Sequence, residues 1–324
     1  MLRLSRRNVL GAAALAAVAR PALVWADEPL NVSVVPANAI HWVQFVAADK
    51  GFYKQAGFEP RILALQGSTQ SLQAALADEY QIATSQPETF VSAVMQGATE
   101  LAAMAAPANS CDWILVGSRD THSLEDLKGK SIGLSGLRSS EEWLTGRLLE
   151  QHGMKRTDCK YVIAGTSAAK ASALETGGIA AAVLFQPSAE FAVSNGLPAL
   201  ARFDVIRSYP TILYVVKKSW ASTGNAGKRA SEAIGHAHDW LWDPGNKEEA
   251  LRILAKYTKR ELDILRPVYE AYFAGSTPYS RTGQIDVAGF GTVLADMAED
   301  GRVFTKAPEA SQFLLDPALG GLSG

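Results

Sequence analysis

The sequence predicts an α/β protein with two sheet-containing units and a helical C-terminal segment. From residue 30 onward, short apolar runs alternate with longer stretches of helical periodicity. This is the pattern of parallel sheets with helices on both faces. Residues 180–185 are almost purely apolar, as a strand buried on both faces requires. At 324 residues, 48% hydrophobic and 20% charged, the chain has the length of about two globular domains.

The first unit precedes residue 108. Its predicted strands are residues 30–35, 58–65, 80–84 and 101–106. Helices are predicted after the first three strands, and they are residues 41–55, a helix opened by Gly67 and a helix opened by Pro87. Proline suits the first turn of a helix because its missing N–H would have no partner there.

The second unit has predicted strands at residues 113–117, 131–134, 160–164, 180–185 and 200–205. Ser139 and Glu142 follow one of these strands with S-x-x-E spacing, which predicts a capping box at a helix start. Ser85 and Glu88 repeat this spacing, so a second box is predicted there.

The last third of the chain is predicted to be mainly helical. After a strand at residues 211–216, helical periodicity begins near Ser219, and Pro267 is expected to break or kink a later helix. This segment is too apolar to stand alone, so we expect it to pack on one of the two units.

The first 26 residues have the composition of an export signal. Basic residues come first, an apolar alanine-rich run follows at residues 9–19, and small residues precede Asp27. Residues 5–10, SRRNVL, resemble the twin-arginine pattern, which would mean export of a folded protein; an ordinary secretory signal is the alternative. The run is about half the ~20 residues of a membrane span, although an uncleaved anchor stays open. We expect a protein free in the periplasm.

Charge and cysteine content exclude several partners. Without the four arginines of the first 26 residues, 27 basic residues face 33 acidic ones, a net charge of −6. Nucleic acid and anionic membrane are therefore poor partners. Cys111 and Cys159 could form one disulfide, or could remain free and buried. Two cysteines alone cannot make a zinc or iron–sulfur site, and we expect no metal or cofactor.

Five loops at predicted strand ends carry small polar residues just before a helix. They contain residues 67–69, 84–86, 135–140, 165–167 and 186–187. If two sheets face each other across a cleft, these helix starts converge, and their free N–H groups favour an anionic or strongly accepting ligand. Each of these small polar residues could instead serve only to cap the helix that follows it.

Three further side chains have two readings. Arg138 could pair with a sulfonate or carboxylate, or be a solvated arginine. Trp42 could form an apolar wall for the ligand, or pack in the core. Glu88 could bind an ammonium group, or cap its helix. The sequence contains no P-loop, no G-x-S-x-G elbow and no Cys/His metal spacing, so an enzyme is not predicted.

Residues 30–216 contain sequence motifs that resemble those of the solute-binding proteins of ABC importers for sulfonates, nitrate, taurine and thiamine-related pyrimidines. The motifs are LNVSVVPAN, AADKGFYKQAGFEP, QGSTQSLQAALADEYQIATSQPE, SLEDLKGKSIGLSG and AAVLFQP. Together they are specific for this family, whereas each motif alone is a weak signal. The resemblance implies a class II periplasmic-binding-protein fold with a ligand cleft between two lobes. Lobe 1 would contain residues 27–107 plus 208–324, and lobe 2 residues 108–207.

The resemblance also implies the ligand-binding positions. They are Asn38, Trp42, Ser68, Thr69, Ser85, Gln86, Ser135, Ser139, Thr166 and Gln186, with Arg138 added from its place in the loop. Two acidic residues usual in the family are replaced, by Ala180 and by Gln186. The amide at Gln186 removes a charge that could hold a cationic group, which disfavours taurine-like zwitterions.

These observations predict the periplasmic component of an ABC importer, a monomer that captures a small organic anion and delivers it to a membrane permease. A sulfonate or an aromatic or carboxylic acid is the expected solute. One alternative is a binding protein for a thiamine-related pyrimidine, and another is an enzyme on the same fold. A sensor subunit that presents its ligand-bound shape to a membrane kinase is a third.

Overall fold

The computed structural model describes residues 28–35, 37–137, 139–203, 208–273 and 279–323. The strands are β1 Glu28–Val34, β2 Phe58–Ala64, β3 Ala83–Ser85, β4 Leu101–Ala105, β5 Ile114–Gly117, β6 Ser131–Leu134, β7 Lys160–Ile163, β8 Ala181–Leu184, β9 Ala199–Arg202 and β10 Leu213–Lys217. The helices are α1 Trp42–Asp49, α2 Phe52–Gln55, α3 Ser68–Leu76, α4 Pro87–Met95, α5 Ser140–Gln151, α6 Ser167–Glu175, α7 Ser188–Ser194, α8 Lys218–Ser222, α9 Ala226–Trp242, α10 Lys247–Thr258, α11 Leu262–Phe273 and α12 Val287–Asp300. The export-signal prediction lies outside the described residues. Within them, no helix is both long and apolar enough to span a membrane.

The strands form a two-stranded, a three-stranded and a five-stranded sheet, and the first two are together called the first sheet because a parallel bridge joins them. The first sheet and the five-stranded second sheet then have the same spatial order of strands. In the first sheet β1 pairs with β2 in parallel, a parallel bridge from Val32 to Ile82 leads towards β3, and β10 lies between β3 and β4. The second sheet has the order β7-β6-β8-β5-β9, in which β6 is parallel to β7 and β8. Each sheet thus has parallel strands on one side and one inserted strand.

The predicted parallel arrangement does not hold for one strand in each sheet. β10 runs antiparallel to β3 and β4, and β5 runs antiparallel to β8 and β9. Both strands enter their sheet directly after the chain crosses from the other sheet. Among the described residues of these two connections there is no crossover helix, which a parallel neighbour would need.

Two large clusters of buried side chains hold the layers together. One packs α1, α9, α10 and α11 against the first sheet, and it contains Trp42, Leu251 and Val268. The other combines residues of both sheets with α12, and it contains Leu101, Ile132 and Phe290. The segment after α12 pairs with β4, where Ala103 N–H donates to the Phe313 carbonyl oxygen at 2.8 Å. The C-terminal helices therefore share the core of the first sheet.

Several local predictions need correction. The helix predicted over residues 41–55 is interrupted at Gly51, whose φ of +75° is left-handed, and it becomes α1 and α2. Pro267 lies inside α11 without ending it. Cys111 and Cys159 are both free and buried. Burial raises the pKa of the Cys111 thiol well above its usual value, with the nearby Asp112 and Glu88 adding to the effect.

Neither predicted capping box forms. Ser139 precedes α5, but its Oγ donates to the Gly136 carbonyl oxygen at 2.7 Å, and the Glu142 carboxylate accepts from Arg156 at 2.6 Å. Ser85 Oγ donates to the carbonyl oxygen of Gln86, and it is Gln86 that precedes α4. Both serines bond to nearby backbone carbonyl oxygens instead of a helix N–H, and Glu142 pairs with Arg156.

Candidate functional site

A cavity of about 350 Å³ lies between the two sheets. Loops that follow β1, β2 and β3 line it from the first sheet, and loops that follow β6, β7 and β8 line it from the second. Because the carboxyl ends of parallel strands share one edge of a sheet, these loops meet there. The predicted site residues that line this cavity are Asn38, Ser68, Thr69, Gln86, Ser135, Ser139 and Thr166.

Four helices begin at the cavity wall. At the starts of α3, α4 and α5, no side chain of the preceding residue accepts a helix N–H. At α6, Thr166 Oγ1 accepts the Ala169 N–H at 3.4 Å. The first N–H groups of a helix need partners from outside the helix. The cavity wall therefore offers N–H donors to a ligand.

Trp42, predicted as an apolar wall for the ligand, does not line the cavity. Its side chain is fully buried, and the indole N–H donates to the Ala250 carbonyl oxygen at 3.0 Å. Its ring contacts those of Tyr269 and Phe273, with centroids 6.0 and 5.5 Å apart. Trp42 lies in the first turn of α1, six of whose eight residues are buried, and the C-terminal helices cover its side chain.

Two more predicted site residues, Ser85 and Gln186, are buried and do not line the cavity. Ser85 is fully buried in β3 and is not among the cavity-lining residues. Gln186 is also buried, and its side-chain oxygen accepts the Glu190 N–H at 3.3 Å. The Gln186 carbonyl oxygen accepts the Ala39 N–H at 3.0 Å, which connects the loop after β1 to the second sheet. Arg138 lies outside the described residues.

One wall of the cavity is aromatic, which the sequence did not predict. Trp113 and Phe185 both line the cavity, with ring centroids 5.2 Å apart and planes at 62°. Each lies at one end of a strand of the second sheet, directly before β5 or directly after β8. The two strands are adjacent in space but far apart in the chain. Because of that separation, the sequence contained no signal for the pair.

Asp112, next to Trp113, places a carboxylate in the same wall. It accepts a hydrogen bond from the Tyr272 hydroxyl of α11. Burial raises the pKa of Asp112 to about 6, partly opposed by the hydrogen bond from Tyr272. The charged form of Asp112 is therefore disfavoured by its surroundings.

Asp112→Asn should stabilise the protein above about pH 6, and the gain should disappear as the pH falls to about 4. Because the folded pKa is raised, the native state binds more protons than the unfolded state between these values, and stability falls as pH rises. Urea unfolding of both proteins at several pH values measures the difference. Burial raises the pKa of Asp296 to about 6 in both proteins, so its effect cancels. An equal difference at about pH 4 and about pH 7.5 would contradict the prediction.

A buried ion pair supports the second-sheet side of the cavity. Lys170 Nζ lies 2.8 Å from Glu141 Oε2 and 3.1 Å from Ser135 Oγ, and both charged side chains are 0% exposed. The Ser135 N–H also donates to Glu141 Oε2 at 3.0 Å. Burial lowers the pKa of Lys170, and Glu141 opposes this shift. Glu141 lines the cavity, so a charge-balanced pair lies directly beneath its surface.

A second contact between the two sheets lies behind Ser139. Glu88 on α4 accepts hydrogen bonds from Ser140 Oγ on α5 and from the Tyr209 hydroxyl, each at 2.5 Å. Burial raises the pKa of Glu88. The capping and ammonium-binding readings of Glu88 are therefore both replaced by a link between the sheets.

Among the described residues, no histidine lines the cavity and no group of side chains could bind a metal ion there. His41 Nε2 accepts the Val35 N–H at 3.2 Å, and burial lowers the pKa of His41 to about 3, so it stays neutral. Among the described residues, no group of three or more His, Cys, Asp or Glu side chains could hold a metal ion.

Comparison with known structures identifies the fold. A zinc-bound ligand-binding component of an ABC-type import system from Staphylococcus aureus is 13% identical, with 91% of this chain and 98% of that chain covered and a TM-score of 0.76. The periplasmic nitrate-binding protein NrtA from Synechocystis PCC 6803 is 13% identical, with coverages of 91% and 87% and a TM-score of 0.73. The periplasmic aliphatic sulphonate-binding protein SsuA from Escherichia coli is 16% identical, with coverages of 90% and 99% and a TM-score of 0.70.

These similarities confirm the predicted periplasmic-binding-protein fold. The model of the NMT1/THI5-like family matches residues 38–242, and the chain belongs to that family. A comparison with curated protein sequences found no match.

Proposed function

We propose that this protein is the exported solute-binding component of an ABC importer, acting as a monomer that delivers its solute to a membrane permease. The observation that carries the proposal is the cavity between the two sheets, lined from both sides by strand-end loops and helix starts. A cavity of about 350 Å³ lies within the size range of small-molecule sites. Membership of the NMT1/THI5-like family and the solute-binding roles of the structural neighbours support this role.

Ligand contacts from both sheets favour a closed arrangement of the two lobes over an open one. A solute that contacts only one lobe would leave this equilibrium unchanged. The permease would then recognise the closed form. The lobe boundaries proposed for this motion are residues 27–107 plus 208–324 and residues 108–207.

The negative charge of the solute stays a prediction. Two features of the cavity wall are relevant to it. Helix starts favour an anion, as expected from the loops. However, Asp112 and Glu141 line the cavity, and no lysine or arginine among the described residues does so. Lys170 balances the charge of Glu141, so Asp112 is the carboxylate that disfavours a fully ionised acid, and the thiamine-related pyrimidine stays a candidate from within the family.

Gly67→Phe should abolish solute binding and leave the fold intact. Gly67 lines the cavity, a side chain there meets no atom within 4 Å, and its φ of −173° is open to any residue. A phenylalanine would therefore occupy the space of the ligand. Binding is measured as the rise in melting temperature with a panel of sulfonates, carboxylates, amides and pyrimidines, because a solute at 100 times its Kd adds about 2.7 kcal/mol of stability.

Gly291→Phe is the matched control. Gly291 lies on α12, a side chain there also meets no atom within 4 Å, and it does not line the cavity. This variant should bind like the parent protein. A parent protein that responds to no compound of the panel would remove the support for solute binding, and binding that survives Gly67→Phe would place the site elsewhere.

A further inference from the structure

Helix α5 presents a polar stripe to two buried carboxylates. Ser140, Trp143 and Arg147 follow one another on α5 at spacings of three and four residues, so they share one face of the helix. Ser140 Oγ donates to Glu88 Oε2 at 2.5 Å. Trp143 Nε1 donates to Asp296 Oδ2 at 2.5 Å, and the Arg147 guanidinium donates to Asp296 Oδ1 at 2.7 Å. Each side chain of the stripe therefore has a carboxylate partner.

The stripe and the carboxylates belong to different lobes. Glu88 lies on α4 and Asp296 on α12, both in the proposed lobe 1, whereas α5 lies in lobe 2. The three contacts join residues 52, 153 and 149 positions apart in the chain. We call this set of five side chains the inter-lobe clasp, and its members are Glu88, Ser140, Trp143, Arg147 and Asp296.

The clasp is separate from the cavity between the two sheets. None of its five side chains lines that cavity. Trp143 and Asp296 instead line a second cavity of about 210 Å³, together with Arg302. Ser139, directly before α5, lines both cavities. The clasp can therefore affect a solute only through the position of α5 relative to lobe 1.

The charge on Asp296 makes the clasp sensitive to its arginine. The Asp296 side chain is 6% exposed and that of Arg147 is 40% exposed. Burial raises the pKa of Asp296 to about 6, and Arg147 opposes this shift. At neutral pH the carboxylate is therefore mainly charged. Without Arg147, the arrangement seen here would bury that charge without a counter-charge, which is costly.

We propose that the inter-lobe clasp holds the two lobes together in the absence of solute, and so determines solute affinity from outside the cavity. An interaction changes the balance between two arrangements only if it differs between them. The clasp contacts join the lobes, so they exist only while α5 stays next to α4 and α12. The inference rests on the two-lobe closure of the proposed function and names contacts that bias it.

Distances between two spin labels on the empty protein test the clasp without any solute. The labels are attached at Gln73→Cys on α3 and Ser172→Cys on α6, two exposed positions on helices that begin at opposite walls of the cavity. The native cysteines, Cys111 and Cys159, are buried and should stay unlabelled. Double electron–electron resonance then measures the ratio of short to long distances, which is the ratio of closed to open protein.

Arg147→Met should lower the ratio of closed to open protein about tenfold at neutral pH, because it removes a charge-assisted hydrogen bond between the lobes. Adding Asp296→Asn should recover most of the ratio. The double variant buries no uncompensated carboxylate, and the amide oxygen can still accept the Trp143 N–H. A double variant as open as Arg147→Met alone would show that Arg147 does not act through Asp296.

Arg302→Met is the matched control. Arg302 lines the same second cavity, but it pairs with Asp300, which lies in the same lobe. Its removal should leave the ratio of closed to open protein unchanged. Equal ratios for the parent protein and Arg147→Met, or an equal shift in Arg302→Met, would overturn the inference.

The distance measurement and the solute panel fail independently. If no compound raises the melting temperature but Arg147→Met opens the protein, the clasp stands and the receptor function falls. If a compound binds but the distances do not change, the receptor function stands and the clasp falls. If both hold, Arg147→Met should also raise the Kd of that compound by the factor by which the closed fraction falls.

Discussion

Lys170→Met is expected to lower the free energy of unfolding by about 3–5 kcal/mol, as found when one partner of a buried ion pair is removed. Lys170 and Glu141 are both 0% exposed and 2.8 Å apart. The variant would leave the Glu141 carboxylate in the protein interior without its counter-charge. Urea unfolding at neutral pH, followed by circular dichroism, measures the loss.

Two controls assign that loss to the uncompensated charge. Lys170→Met combined with Glu141→Gln removes both charges and keeps an acceptor for the Ser135 N–H, so it should recover a large part of the stability. Arg266→Ala breaks an exposed pair with Glu248, 2.6 Å apart, and should change the stability little, because solvent screens both charges. If Lys170→Met cost no more than Arg266→Ala, the buried pair would not be a stabilising element.

Trp42→Ala is expected to cost about 3–5 kcal/mol, the range for deleting a large buried aromatic side chain. Trp42 joins α1 to the C-terminal helices through its ring contacts with Tyr269 and Phe273 and its hydrogen bond to Ala250. Its removal leaves a cavity at this junction. Thermal and urea unfolding should both show the loss.

Trp42→Phe separates packing from ligand binding. Phenylalanine keeps most of the ring volume and loses the N–H donor to the Ala250 carbonyl oxygen, so the cost should be about 1–3 kcal/mol. Solute affinity should not change, because Trp42 does not line the cavity. Abolished binding with unchanged stability would restore the reading of Trp42 as a wall of the site.

The local pattern of the chain was a good guide to its strands. The prediction for residues 131–134 coincides with β6, and the predictions for residues 58–65 and 101–106 differ from β2 and β4 by one residue each. Strands buried on both faces must be apolar throughout, and this pattern is visible in one segment. The direction of β5 and β10 was not predictable, because it depends on where the chain crosses between sheets.

Seven of the predicted site residues line the cavity because a helix start after a strand is a local signal. Ser68, Gln86, Ser139 and Thr166 lie at such starts. Ser85, Gln186 and Trp42 do not line the cavity, because the same local signals do not show which side chain turns towards it. Hydrogen bonds and packing with distant elements decide that.

By itself, the sequence determined the α/β class, the alternation of strands and helices, and the small polar loops that end the strands. These features depend on contacts between residues close in the chain. Only the tertiary structure decided that Asp112, Glu141, Lys170 and Thr211 belong to one cavity region. The pair of Glu141 and Lys170 joins two helices, and Asn38 and Thr211 lie 173 positions apart in the chain. Such groups come together only when the two sheets face each other, because burial and charge pairing depend on distance in space.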